Sequence, residues 1–160
     1  MKSLFALILI LMTASASASN KFSSYCNVFI GTACFGMKSG DEYKYTSQVD
    51  FSIYEIKLSS RDKINIYSGY HPASFDYAGA YFSKETVNGY LVSALKIDNQ
   101  HHRILIESMD KRVPSVDINI SIFSGDKRLI TEFIKSFRSC TITQLEAACK
   151  DDILLQSVVL

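Results

Sequence analysis

The chain has 160 residues, 17 Lys and Arg against 16 Asp and Glu, four Cys, and a formal net charge of +1. No basic cluster stands out, which excludes the concentrated positive charge a nucleic-acid binder uses to displace counterions. No apolar run reaches the roughly 18 residues of a membrane-spanning helix, which excludes stable insertion.

The N-terminus carries a targeting pattern. Lys2 precedes an apolar run over 4–12, and Ala16-Ser17-Ala18 provides small residues for a cut before Ser19. The run is too short for a membrane anchor and fits a signal peptide over 1–18. Residues 19–160 are then expected to form one disulfide-bonded domain, periplasmic or secreted. Removing Lys2 from the 17 Lys and Arg leaves 16, against 16 Asp and Glu.

Export places Cys26, Cys34, Cys140 and Cys149 in an oxidising compartment, and their even number points to two disulfides. Neither close pair has the C-x-x-C spacing usual in zinc sites, so no metal is expected. Four cysteines allow three pairings, in about the same way for any chain. The weak patterning around both cysteine pairs favours a link between the two chain ends.

Strands dominate the middle. Over 49–58, Phe51, Ile53, Ile56 and Leu58 alternate with a slip near Tyr54-Glu55, the mark of a bulge or a strand covered on both faces. Ile64 and Ile66 alternate over 63–68. Asn88-Gly89 tolerates the positive φ of a two-residue hairpin and separates strands over 81–87 and 90–97. A polar turn at 98–101 leads into 103–109. The clearest strand is 116–122, where Val116, Ile118, Ile120 and Ile122 share one face. Asn119-Ile120-Ser121 is also a glycosylation sequon, placed inside that strand.

A helix follows over 126–138. Asp126 is its N-cap, and Leu129, Ile130, Phe133, Ile134 and Phe137 form one apolar stripe. That stripe is expected to lie on the isoleucine face of the preceding sheet. Beyond Cys140, Thr143 and Glu146 have capping-box spacing for a short helix, and 153–160 reads equally as a strand. The fold expected is α+β, a mostly antiparallel sheet of about five to six strands with one amphipathic helix on one face. Strands followed by a helix closing on Ser136-Phe137-Arg138 resemble the end of PsbP-like α+β domains, a likeness that carries over no functional residue.

Enzyme signatures are absent: no nucleophile elbow, zinc helix, phosphate-cradling glycine loop or dinucleotide fingerprint. No catalytic residue and no cofactor is assigned. His101 and His102 read as solvated turn residues pointing to opposite faces. The richer segment runs from Tyr70, with His71, Phe75, Tyr77 and Tyr81 among small residues. Tyrosines on such a loop give contact area with polar handles, the chemistry of protein-binding loops. The reading is an exported non-enzymatic protein that docks on a protein partner, as a periplasmic inhibitor or immunity-type protein does. The alternative is a small exported hydrolase or small-ligand carrier with a site near His71.

Overall fold

The computed structural model describes residues 22–38, 42–59, 61–70, 81–110, 116–142, 147–156 and 158. The signal-peptide segment, Thr143, Glu146, and His71, Phe75 and Tyr77 of the aromatic segment lie outside them. In chain order the first strands are Phe22–Ile30 (β1), Ala33–Met37 (β2), Tyr43–Ser47 (β3), Phe51–Lys57 (β4) and Lys63–Gly69 (β5). Then come Tyr81–Val87 (β6), Tyr90–Lys96 (β7), His101–Ser108 (β8) and Asp117–Phe123 (β9). Helix α1 spans Lys127–Ser136, and Arg138–Ile142 (β10) and Ala147–Ile153 (β11) follow it.

Seven strands form one antiparallel sheet in the order β3-β4-β5-β9-β8-β7-β6. Its register lines up the alternation seen in the sequence. Ile56, Ile64 and Ile122 make one cross-strand row; Tyr54, Ile66, Ile120, Ile104 and Ala94 make the next. Ile118, Ile106 and Val92 make a third. All these side chains are buried, so a single face of the sheet supplies much of the core. Cross-strand neighbours of this kind are the packing unit of a sheet. Asn88 and Gly89 take φ of 52° and 83°, closing the β6–β7 hairpin as the dipeptide demands.

The other four strands make a second antiparallel sheet, β1-β2-β10-β11, from the two ends of the chain. The molecule is therefore mostly β, with two sheets, and not an α+β fold of one sheet carrying a helix. The terminal segments hid this because their pairing is non-local: Arg138 faces Cys34 and Ser139 faces Ala33. β2 is also buried along its whole length, so its apolar residues do not alternate.

β1 slips register between Ser23 and Val28. Across that bulge the Asn27 side chain stands in for a peptide group. Its Oδ1 accepts from the Met37 N–H at 2.7 Å, and its amide donates back to the Met37 carbonyl. Gly36 lies under the bulge, where a Cβ would run into the carbonyl oxygens of Tyr25 and Ser23. The cysteines pair locally, Cys26 with Cys34 and Cys140 with Cys149. Backbone pairing, rather than the expected disulfide, joins the chain ends.

Asp126 caps α1, its Oδ1 accepting from the N–H groups of Arg128 and Leu129 at 3.0 and 3.2 Å. The helix stops at Phe137, and the Arg138 guanidinium donates to the carbonyls of Lys135 and Phe137. Its apolar stripe is buried as the periodicity requires, in one core with the isoleucine rows, and it lies close to β1, β2 and β11 of the small sheet as well. The Phe133 ring sits 5.2 Å from Phe22, 5.6 Å from Phe35 and 5.4 Å from Phe137. Among the described residues no helix is long and apolar enough to cross a membrane.

Phe133 is fully buried where helix and small sheet meet. Phe133→Ala should cost roughly 3–5 kcal/mol through lost burial and the cavity left among three rings. A denaturant melt beside the parent chain measures it. A loss below about 1 kcal/mol would mean the helix does not rest on this cluster.

Candidate functional site

The wide sheet outruns its cover. On the inner face of β3, Tyr43 stands opposite Ile56 and Tyr45 opposite Tyr54, continuing the buried rows outward. Tyr54 is the border residue: it is buried, and its Oη donates to the Phe29 carbonyl of the small sheet at 2.9 Å. Beyond it nothing among the described residues covers the face, and Tyr43 and Tyr45 remain 41% and 51% exposed. Their rings lie 5.9 and 4.9 Å from that of Tyr54.

These phenols differ in environment. Burial pushes Tyr54 up to about 12, with Tyr45 and Tyr43 adding to the effect. Hydrogen bonding to Ser47 and then Ser52 holds Tyr45 below the ordinary phenol value. Tyr54 therefore stays protonated near neutrality, and the lip presents phenol oxygens beside apolar ring faces. β3 is an edge strand, with no strand on its outer side among the described residues. On the opposite face of β3, Lys44 pairs with Glu55 at 3.5 Å, an exposed contact that positions little.

Of the residues singled out in the sequence, Tyr70 follows β5 and is 48% exposed. Tyr81 opens β6, opposite Lys96. Strands β9, β8 and β7 lie between β5 and β6, so the sheet does not set Tyr70 and Tyr81 side by side. His71, Phe75 and Tyr77 are outside the described residues. Asn119 is buried in the central strand, out of reach of a glycosylating enzyme in the folded chain.

Sequence reasoning passed over the tyrosine lip, although Tyr43-Lys44-Tyr45-Thr46 shows the alternation of an aromatic strand face. It also misread the histidine pair. His101 and His102 open β8 and do point to opposite faces, but neither is a solvated turn residue. His101 stacks on Phe123 with 4.3 Å between ring centroids. His102 is only 4% exposed, on the inner face opposite Ile122 and Lys96. The spacing His102-x-Ile104-x-Ile106 was the available signal.

His102 lines a cleft of about 410 Å³ with Lys96, Gln100, Lys127 and Ile130. Its Nδ1 is buried without a hydrogen-bond partner among the described residues. The backbone N–H groups at the start of α1 are already taken by Asp126, which leaves the cleft no free helix-terminal donors at Arg128 and Leu129. The described cysteines are the other cluster of ligand-type side chains, with all four sulfurs within 4.8 Å of one another.

Comparison with protein families, with curated proteins and with solved structures gives no significant match to this chain. Its reading rests on its own residues.

Burial, then Lys96, pulls the His102 imidazole below its ordinary value of 6.5, and burial does the same to His101. Lys127 and His101 also disfavour the His102 cation, while Asp98 favours it. The unfolded chain therefore binds protons first as pH falls, and stability is lost from about 6.5 downward until the depressed folded value is passed. The Asp98 carboxylate, held below its ordinary 3.8 chiefly by the Gln100 N–H, contributes only at more acidic pH. The melting temperature should drop as pH falls through about 6.5, and His102→Leu should reduce that drop, leaving the His101 share. An undiminished drop in the variant would assign it to other groups.

Proposed function

We propose that this is an exported, non-enzymatic binding protein that docks on another protein, as periplasmic inhibitors and immunity-type proteins do. The observation that carries the reading is the uncovered tyrosine lip on edge strand β3. A free strand edge can accept an extended segment of a partner through main-chain hydrogen bonds, and side-chain surfaces beside it then choose the partner. Tyr43 and Tyr45 provide such a surface, with large rigid rings and hydroxyl groups that cost little entropy to fix.

The two edges of the large sheet are unlike. β6 carries exposed Lys84, Glu85 and Thr86, the kind of charged edge that discourages pairing. β3 has one charge, Lys44, already engaged with Glu55. Tyr70, 48% exposed, offers further aromatic contact area in the same reading. The two cysteine pairs at disulfide distance fit an oxidising, extracellular or periplasmic compartment.

The test begins with affinity capture from the native host's envelope fraction, followed by binding of the captured protein to defined variants. Tyr43→Ser with Tyr45→Ser should lower the melting temperature much less than Phe133→Ala, because both rings are about half exposed. Affinity should fall by roughly 30-fold or more, the loss of about 2 kcal/mol expected for buried tyrosine anchors. Unchanged affinity in the double variant would defeat the β3 docking surface.

A further inference from the structure

The cysteine arrangement holds more than two hairpin clasps. Each strand of the small sheet contributes one cysteine, and the four sulfurs converge although β1 and β11 are its outer strands. The Cys34 sulfur lies 3.0 Å from that of Cys140 and 3.4 Å from that of Cys149, both in the other disulfide. Cys34 and Cys140 are buried, whereas Cys26 and Cys149 are half-buried. Cys26 also sits in the β1 bulge beside the exposed Tyr25. A half-buried cysteine in each disulfide is thus bonded to a buried one, and the two buried cysteines have their sulfurs 3.0 Å apart.

We propose that these four cysteines are a thiol–disulfide exchange centre, entered by an external thiolate at Cys26, whose pairing moves between hairpin-local and chain-end-linking bonds. The external thiolate attacks the Cys26 sulfur, forms a mixed disulfide there and expels the Cys34 thiolate. That thiolate attacks Cys140 across the 3.0 Å contact, forming Cys34–Cys140 and expelling the Cys149 thiolate. The Cys149 thiolate attacks Cys26 in the mixed disulfide, forming Cys26–Cys149 and returning the external thiolate. Each step makes one sulfur–sulfur bond and breaks one, so no net oxidation occurs and the thiol is a catalyst.

The consequence is topological. The local bonds bridge cysteines 8 and 9 residues apart within single hairpins. Cys34–Cys140 would bridge 106 residues and weld β2 to β10, the junction now held by backbone hydrogen bonds and packing. An exported dithiol or a small thiol is the class of co-reactant that would set the state.

Trypsin makes the two states easy to separate. Peptide 22–38 contains both Cys26 and Cys34, and peptide 139–150 contains both Cys140 and Cys149. Folded protein incubated with a substoichiometric small thiol, 2-mercaptoethanol, is alkylated, digested without reduction and weighed by mass spectrometry. The exchange centre predicts a covalently linked 22–38/139–150 species that grows with time while the near-ultraviolet circular dichroism is retained. Two separate peptides throughout, or linkage accompanied by loss of that dichroism, would overturn it. Cys26→Ser supplies a second arm, since Cys34 then begins as a thiol. The linked species should form there without added thiol; retention of Cys140–Cys149 with an alkylated Cys34 also overturns the proposal.

Discussion

The fold depends on the junction between the two ends of the chain. β2 meets β10 through the pairs Arg138–Cys34 and Ser139–Ala33, and the Cys140 N–H donates to the Thr32 carbonyl at 2.8 Å. Closing a loop of this length costs conformational entropy that grows only slowly with its size. The return is large, because the joined strands form the sheet on which α1 rests and which covers the isoleucine rows. Phe22, Phe35, Phe133 and Phe137, two from each end of the chain, fill the space between. Without the junction the large sheet would keep its hairpins and lose its cover.

Unequal widths of the two sheets connect fold to function. A four-stranded cover cannot bury the whole inner face of a seven-stranded sheet. Tyr54 marks the limit, bonded to Phe29 at the rim, and the next residues outward on that face are tyrosines rather than isoleucines. A tyrosine tolerates a position that is apolar on one side and wet on the other. The overhang is thus chemically finished as a surface, and a partner meets rings already held in place by a rigid strand.

Much of the large sheet was legible because alternation, hairpin chemistry and helix capping are local signals. Ile118, Ile120 and Ile122, the Asn88-Gly89 turn and the Asp126 cap each follow from a few neighbouring residues. The small sheet was not legible. Its strands are bulged at Cys26 or, in β2, buried on both faces, and its decisive pairs are far apart in sequence. The helix stripe was read correctly but its contact with the small sheet was not foreseen, since periodicity states which face is buried and not all that buries it. The site shows the same division. An exposed Tyr43-x-Tyr45 face could be suspected from alternation, but its exposure follows from the width of the other sheet. His102 likewise became a buried inner-face residue only through the register of β8 against β9.

Native-state hydrogen exchange at the junction tests this account most directly. The Cys140 amide, bonded to Thr32, and the Leu154 amide, bonded to Phe137 at 3.0 Å, report on the chain-end sheet. If that sheet is the structural closure, both exchange as slowly as the amides of β9, through global unfolding alone. Exchange orders of magnitude faster than β9 would show the ends opening independently of the large sheet, and would contradict the claim that their pairing holds the fold together.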